Sequence, residues 1–125
     1  MEHSFQQFEL PQWPVKLSKI SSISPYFHGA HLLVAADCVG ISYAHTHTRI
    51  TPGRIPIICC AEDEHMIVRL ARILRLNDIQ SVLSVSMDSD CCMRFHDNVR
   101  EAIKLSGKTI PFQATTILIR CEMVE

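Results

Sequence analysis

His31-Leu-Leu-Val-Ala-Ala-Asp37, with Cys38 directly behind it, is the stretch on which the fold turns. Its unbroken apolar run has the length and side-chain branching of a strand buried on both faces, the signature of a parallel sheet. Two further runs repeat the pattern. Ile55-Pro-Ile-Ile58 is closed by Cys59-Cys60, and Ile79 to Met87 leads into Asp88-Ser-Asp-Cys-Cys92. Each of the three predicted strands is therefore followed closely by a cysteine.

The segments between and after these strands carry helical spacing. Val39 to Ile50 is expected to be mostly helical, stopped by Thr51-Pro52-Gly53. Glu62, Asp63 and Glu64 suit a first helical turn, Arg69, Arg72 and Arg75 suit its later part, and Asn77 a stop. Met66, Leu70 and Ile73 or Leu74 form the buried stripe. A last helix runs from about Met93 to Ser106 on Phe95, Val99, Ala102 and Ile103, with Gly107 placed for a left-handed cap. Ala114 to Ile119 makes the final strand. Upstream, Val15, Leu17 and Ile20 suggest an extended edge segment beside two prolines, and Ser24-Pro25 opens a short helical turn with Tyr26 and Phe27.

Strands alternating with helices of about 10–15 residues imply right-handed crossovers. The predicted fold is α/β in three layers, a mainly parallel sheet of the Rossmann-like or flavodoxin-like kind with helices on both faces. Residues 1–10 are polar and aperiodic, a loose arm, and residues 11–125 make a single domain, since 125 residues suffice for one core.

Composition narrows the function. Hydrophobic residues are 47% and charged residues 20%, with a formal charge of −1, so neither disorder nor a basic footprint for nucleic acid or anionic membrane is signalled. No basic-then-apolar leader and no spanning run is present, which predicts a cytoplasmic protein. Its six cysteines are then better read as thiols for metal or redox work than as disulfides. Oligomeric state is open, with a homodimer among the assemblies compatible with the sequence.

In a parallel sheet, residues just after different strands meet at one rim, where such folds place their sites. Cys38, Cys60, Cys91 and Cys92 qualify, and together offer the three or four sulfur ligands that zinc or an iron–sulfur cluster uses. Cys59 would point to the other side of the strand and belongs to the core. Cys121 is a reserve candidate. In His45-Thr46-His47, residues two apart on a helix do not share a face, so at most one reaches the rim, and His47 is the candidate auxiliary ligand. Asp37 and Asp90 flank cysteines, either to orient ligands or to cap helices. Against the ligand reading stands the habit of free cysteine to pack as a small hydrophobe, and no CxxC pair is present.

Four glycines, at 29, 40, 53 and 107, cannot make GxGxxG or a P-loop, so no nucleotide cofactor is expected. A thiol enzyme using Cys91 or Cys92 remains an alternative, because the following helix would favour a thiolate there. A metal-free interaction domain is the other.

The residues resemble the C-terminal domain of ferredoxin-type (4Fe-4S dicluster) iron–sulfur proteins of anaerobic bacteria and archaea. The likeness spans about Leu10 to Glu122: Gln12 to Val15, Ser24-Pro-Tyr-Phe27, Ala35-Ala-Asp-Cys38 with Tyr43 and His47 after it, Gly53-Arg54, Cys60 before acidic residues, Met87-Asp88 leading to Cys91-Cys92, and Ser106-Gly-Lys108. It implies that Cys38, Cys60, Cys91 and Cys92 fall on the family's cysteine positions. It differs at Ala61 and Asp90, where proline is usual, and the ferredoxin segment is not in these residues. A separate ferredoxin-type redox protein is then the implied partner.

Overall fold

The computed structural model describes residues 15–17, 21–37, 39, 53–89, 93–118 and 123–124. Six strands form one sheet: β1 (Val15–Lys16), β2 (Ala30–Ala36), β3 (Ile55–Cys59), β4 (Ile79–Met87), β5 (Phe112–Ile117) and β6 (Met123–Val124). They lie in the order β1-β3-β2-β4-β5-β6. All neighbours pair in parallel except β5 with β6.

Two helices are described, α1 (Met66–Leu76) between β3 and β4, and α2 (Phe95–Ser106) between β4 and β5. Both crossovers advance across the sheet in the same direction, so right-handedness sets both helices on one face, where they pack against each other. The helix expected over Val39 to Ile50 lies outside the described residues, apart from Val39, which is buried.

Pairing fixes which side chains meet the helices. Leu32, Val34 and Ala36 lie in register with Ile55, Ile57 and Cys59 of β3, and Leu32 and Val34 with Val82 and Ser84 of β4. Val82, Ser84 and Ser86 in turn pair with Phe112, Ala114 and Thr116. This set faces α1 and α2, and Leu33, Ala35, Val85, Met87 and Ile117 face the other way. From Leu32 to Ala36 the residues on both faces of β2 are buried, which is why its sequence does not alternate there.

Met66, Leu70, Ile73 and Leu74 of α1 are buried, as the helical spacing predicts, and each removes roughly 1.5–3 kcal/mol worth of apolar surface from water. The acidic trio is not in the first turn, however. Asp63 accepts the backbone N–H of His65 at 2.9 Å through Oδ1, and its own N–H donates to the Cys60 carbonyl at 3.0 Å. These bonds hold residues 60–65 as turns ahead of the helix. Asn77 does end α1. Its Nδ2 donates to the Ile73 carbonyl at 2.8 Å and to the Ser22 carbonyl at 2.7 Å, tying the helix end to the chain before β2.

At the end of α2, Gly107 takes φ +78°, and its N–H donates to the Lys104 carbonyl at 3.2 Å. A methyl group there would meet no atom within 4 Å, so the penalty of Gly107→Ala is conformational alone. An L-residue in the left-handed region costs about 1–2 kcal/mol, and urea unfolding should show a loss of that size with an unchanged m-value.

Candidate functional site

The strands preceding Cys38, Cys60 and Cys91-Cys92 are β2, β3 and β4, and these three are immediate neighbours in the order β3-β2-β4. At about 4.8 Å between strands, their carboxyl ends span roughly 10 Å of one rim. The backbone N–H of Asp37 donates to the Cys59 carbonyl at 3.1 Å, which fastens the last residue before Cys38 to the end of β3. A second tie crosses the rim. Asn98 of α2 donates from Nδ2 to the Ala61 carbonyl at 3.3 Å and approaches Met66 Sδ at 3.7 Å. The turn that carries Cys60 is thereby joined to the helix that follows Cys91-Cys92.

Of the expected ligands, Cys60 is described: it is half-buried directly after β3, with a free thiol. Cys59 is 6% exposed in the core, on the helix-facing side of β3, as its position one residue earlier predicts. Burial first, then the nearby Asp63, Cys60 and Asp37, push its thiol far above the ordinary range, so it stays protonated and is a poor ligand. Cys38, Cys91, Cys92, Cys121, His45, His47 and Asp90 lie outside the described residues. Among the described residues, no three His, Cys, Asp or Glu side chains converge as a metal would require. Asp37 is exposed at the rim beside Cys60's turn.

Sequence reasoning missed a second cluster, between β4, β5 and the start of α2. Ser84 is 0% and Ser86 2% exposed on β4, and both hydroxyls turn toward α2. His96, in the first turn of α2, lies between them. Its Nδ1 is 2.6 Å from Ser84 Oγ, and its Nε2 is 3.0 Å from Ser86 Oγ and 3.2 Å from Thr116 Oγ1 of β5. A neutral imidazole has one donor and one acceptor nitrogen, and each hydroxyl can serve as either, so every polar group here is satisfied without a buried charge. Burial, reinforced by the Arg100 guanidinium and only partly offset by Asp97, holds the imidazole below its ordinary pKa.

The two serines are too buried to meet a substrate. Their chemistry is positional: the cluster bolts the start of α2 onto β4 and β5. A signal existed. Serines two apart on a strand otherwise buried on both faces need a partner on the covering helix, and His96 is a polar residue in that helix's first turn.

Flanking this cluster, the Phe95 and His96 rings meet edge-on, 6.2 Å apart at 78°. Arg100 lies over the Phe112 ring at 5.3 Å and pairs with Asp97 at 3.1 Å. None of the described helices is long and apolar enough to cross a membrane.

A family model described as a Rossmann-like domain matches residues 24–125. An uncharacterized protein of Archaeoglobus fulgidus is 26% identical over 102 residues, which cover 80% of this chain and 72% of that protein. No solved structure matches the chain. Sheet order and the family match agree: the chain belongs to the Rossmann-like domain family.

Proposed function

We propose that this Rossmann-like domain is a metal- or iron–sulfur-binding module, with Cys38, Cys60, Cys91 and Cys92 as ligands and His47 as an auxiliary, serving a separate redox protein. The observation that carries the reading is the adjacency of β3, β2 and β4 in the sheet, because three strands followed within a few residues by cysteines far apart in sequence finish side by side. The Asn98 bridge to Ala61 supports it, since it ties the turn after Cys60 to the helix that follows Cys91-Cys92 in sequence. The donors have the right chemistry. Cys60 is a half-buried free thiol, and Asp37 and Asp63 near the end of β3 give the rim a negative field that favours a cation. A bound cluster would supply one-electron transfer, whereas zinc would supply a cross-link between loops.

The test is anaerobic purification followed by elemental analysis and a visible spectrum. Iron with broad visible absorption, or stoichiometric zinc, is expected. Cys60→Ser should lower the bound metal at least tenfold, on the order seen when even outer-shell partners of a metal site are lost. Protein that holds neither iron nor zinc, before or after anaerobic reconstitution, would sink the reading.

A further inference from the structure

The outward face of α1 is unusual for a surface helix. Its exposed residues are Val68, Arg69, Arg72, Arg75 and Leu76. At about 100° per residue these five share one arc of about 120°. The arc holds three arginines and two aliphatics, with neither an acidic nor a neutral polar residue. Val68 is 62% and Leu76 44% exposed. Ion pairs among the described residues join His65 to Glu64 and Arg100 to Asp97, and the α1 arginines take part in neither. The helix dipole accounts for Arg75 in the last turn, but not for Arg69 and Arg72 in the middle.

The complement of this arc lies just ahead of the same helix in the chain. Glu62 and Glu64 are exposed in the turn just ahead of α1, so the unit running from 62 to 76 is acidic at its start and basic over the rest of its exposed surface. We propose that two copies of this chain associate through antiparallel α1 helices about a two-fold axis. With Val68 on the axis, Glu64 and Arg72, each four residues away, come opposite one another, and Glu62 comes near Arg75 of the second copy. A two-fold contact makes each such pair twice, which is how a patch that is polar along its length becomes self-complementary.

Other occupants fit less well. Phosphate backbones call for a wider basic face than three cations on a chain of net charge −1. A bilayer surface calls for large anchors such as Trp or Phe, and this arc has only valine and leucine. The contact is small. An eleven-residue helix, about 16 Å long, offers less than the roughly 800 Å² per partner of a standard interface, so the dimer forms at high concentration and weakens with salt.

Sedimentation of the full chain at ~100 µM in low salt tests this, a concentration suited to a complex of about micromolar or weaker affinity. The expected mass is twice 14.2 kDa. Arg72→Glu, which sets Glu64 against glutamate, should loosen the dimer at least about tenfold, and Glu64→Arg combined with Arg72→Glu should restore it. Circular dichroism of each variant reports whether the fold is retained. A wild-type chain that sediments as a monomer under these conditions overturns the proposal. So does a dimer indifferent to the single charge reversal, which would place the contact elsewhere.

Discussion

Phe95→Ala is expected to destabilise the domain by about 3–5 kcal/mol, the range for removing a fully buried aromatic ring. The side chain is 0% exposed and stands at the first residue of α2, where it enters the core together with Val99 and Ala102. The neighbouring segments cannot easily close the void. β4 and β5 are fixed by their parallel pairing, and α1 is packed alongside. Against a total stability of about 5–15 kcal/mol, such a loss is a large fraction, and it should lower the melting temperature by on the order of 10–20 °C. Thermal and urea unfolding would measure it. A change under about 1 kcal/mol would show that the ring is not locked where the structure has it. Because α2 starts three residues after Cys92, the same variant should bind metal less tightly even when folded, if the rim cysteines are ligands.

The second large effect is a pH dependence centred on His96. Its folded-state pKa is held below the ordinary value of about 6.5, so the neutral ring is the form the fold prefers. The sign follows by linkage. Above pH ~6.5 the ring is neutral in folded and unfolded chains alike, and its contribution to stability is complete. As pH falls through that value toward the lower folded-state pKa, the unfolded chain takes up the proton first, and stability declines. The charged groups acting on the ring are Arg100, which opposes protonation, and Asp97, which favours it, both on α2. β4 and β5 bring only hydroxyls, since neither strand has a charged residue, and the arginines of α1 point to solvent. Melting temperature measured from pH 8 to pH 5 should therefore fall on the acid side, and His96→Gln should flatten that fall. His96→Ala should in addition cost about 1–3 kcal/mol for each serine hydroxyl left buried without a partner. An acid limb unchanged in His96→Gln would mean that another group governs it.

Much of this architecture can be recovered from local pattern. Ile79 to Met87 is a strand over the predicted range, and Pro25–Phe27 is the predicted short helical turn. Buried runs of branched residues bounded by polar ones leave little choice. What went astray depends on distant partners. β5 begins at Phe112 rather than Ala114 because Phe112 pairs with Val82, and Ile110 and Pro111 before it give no sign of that register. β6 is two residues long and exists through its pairing with Thr116 and Ile117. α2 starts at Phe95, two residues later than its spacing suggests, with Arg94 as the flanking residue and its carbonyl accepting the Asn98 N–H at 2.8 Å.

The same division holds for the site. That Cys60 follows a strand and that Cys59 faces the core are facts of spacing and period. That β3 and β4 flank β2, and that Asn98 reaches Ala61, are facts of topology, which a chain of alternating strands and helices constrains but does not spell out. The hydroxyl–imidazole cluster belongs wholly to the second kind. Ser84, Ser86, His96 and Thr116 come from three elements, and they meet through strand register together with the phase of α2.

The two-residue strands at either margin, Val15–Lys16 and Met123–Val124, have a consequence for how the molecule meets its neighbours. A stranger chain seeking to lengthen the sheet finds, at each described margin, a stub covering two residues of the strand inside it, Ile57 and Ile58 of β3 or Thr116 and Ile117 of β5, and the final stub runs against the grain of the rest. Over those residues the inner strand is already paired. At the contact proposed for α1, recognition rests instead on side chains, where a single charge decides who is admitted.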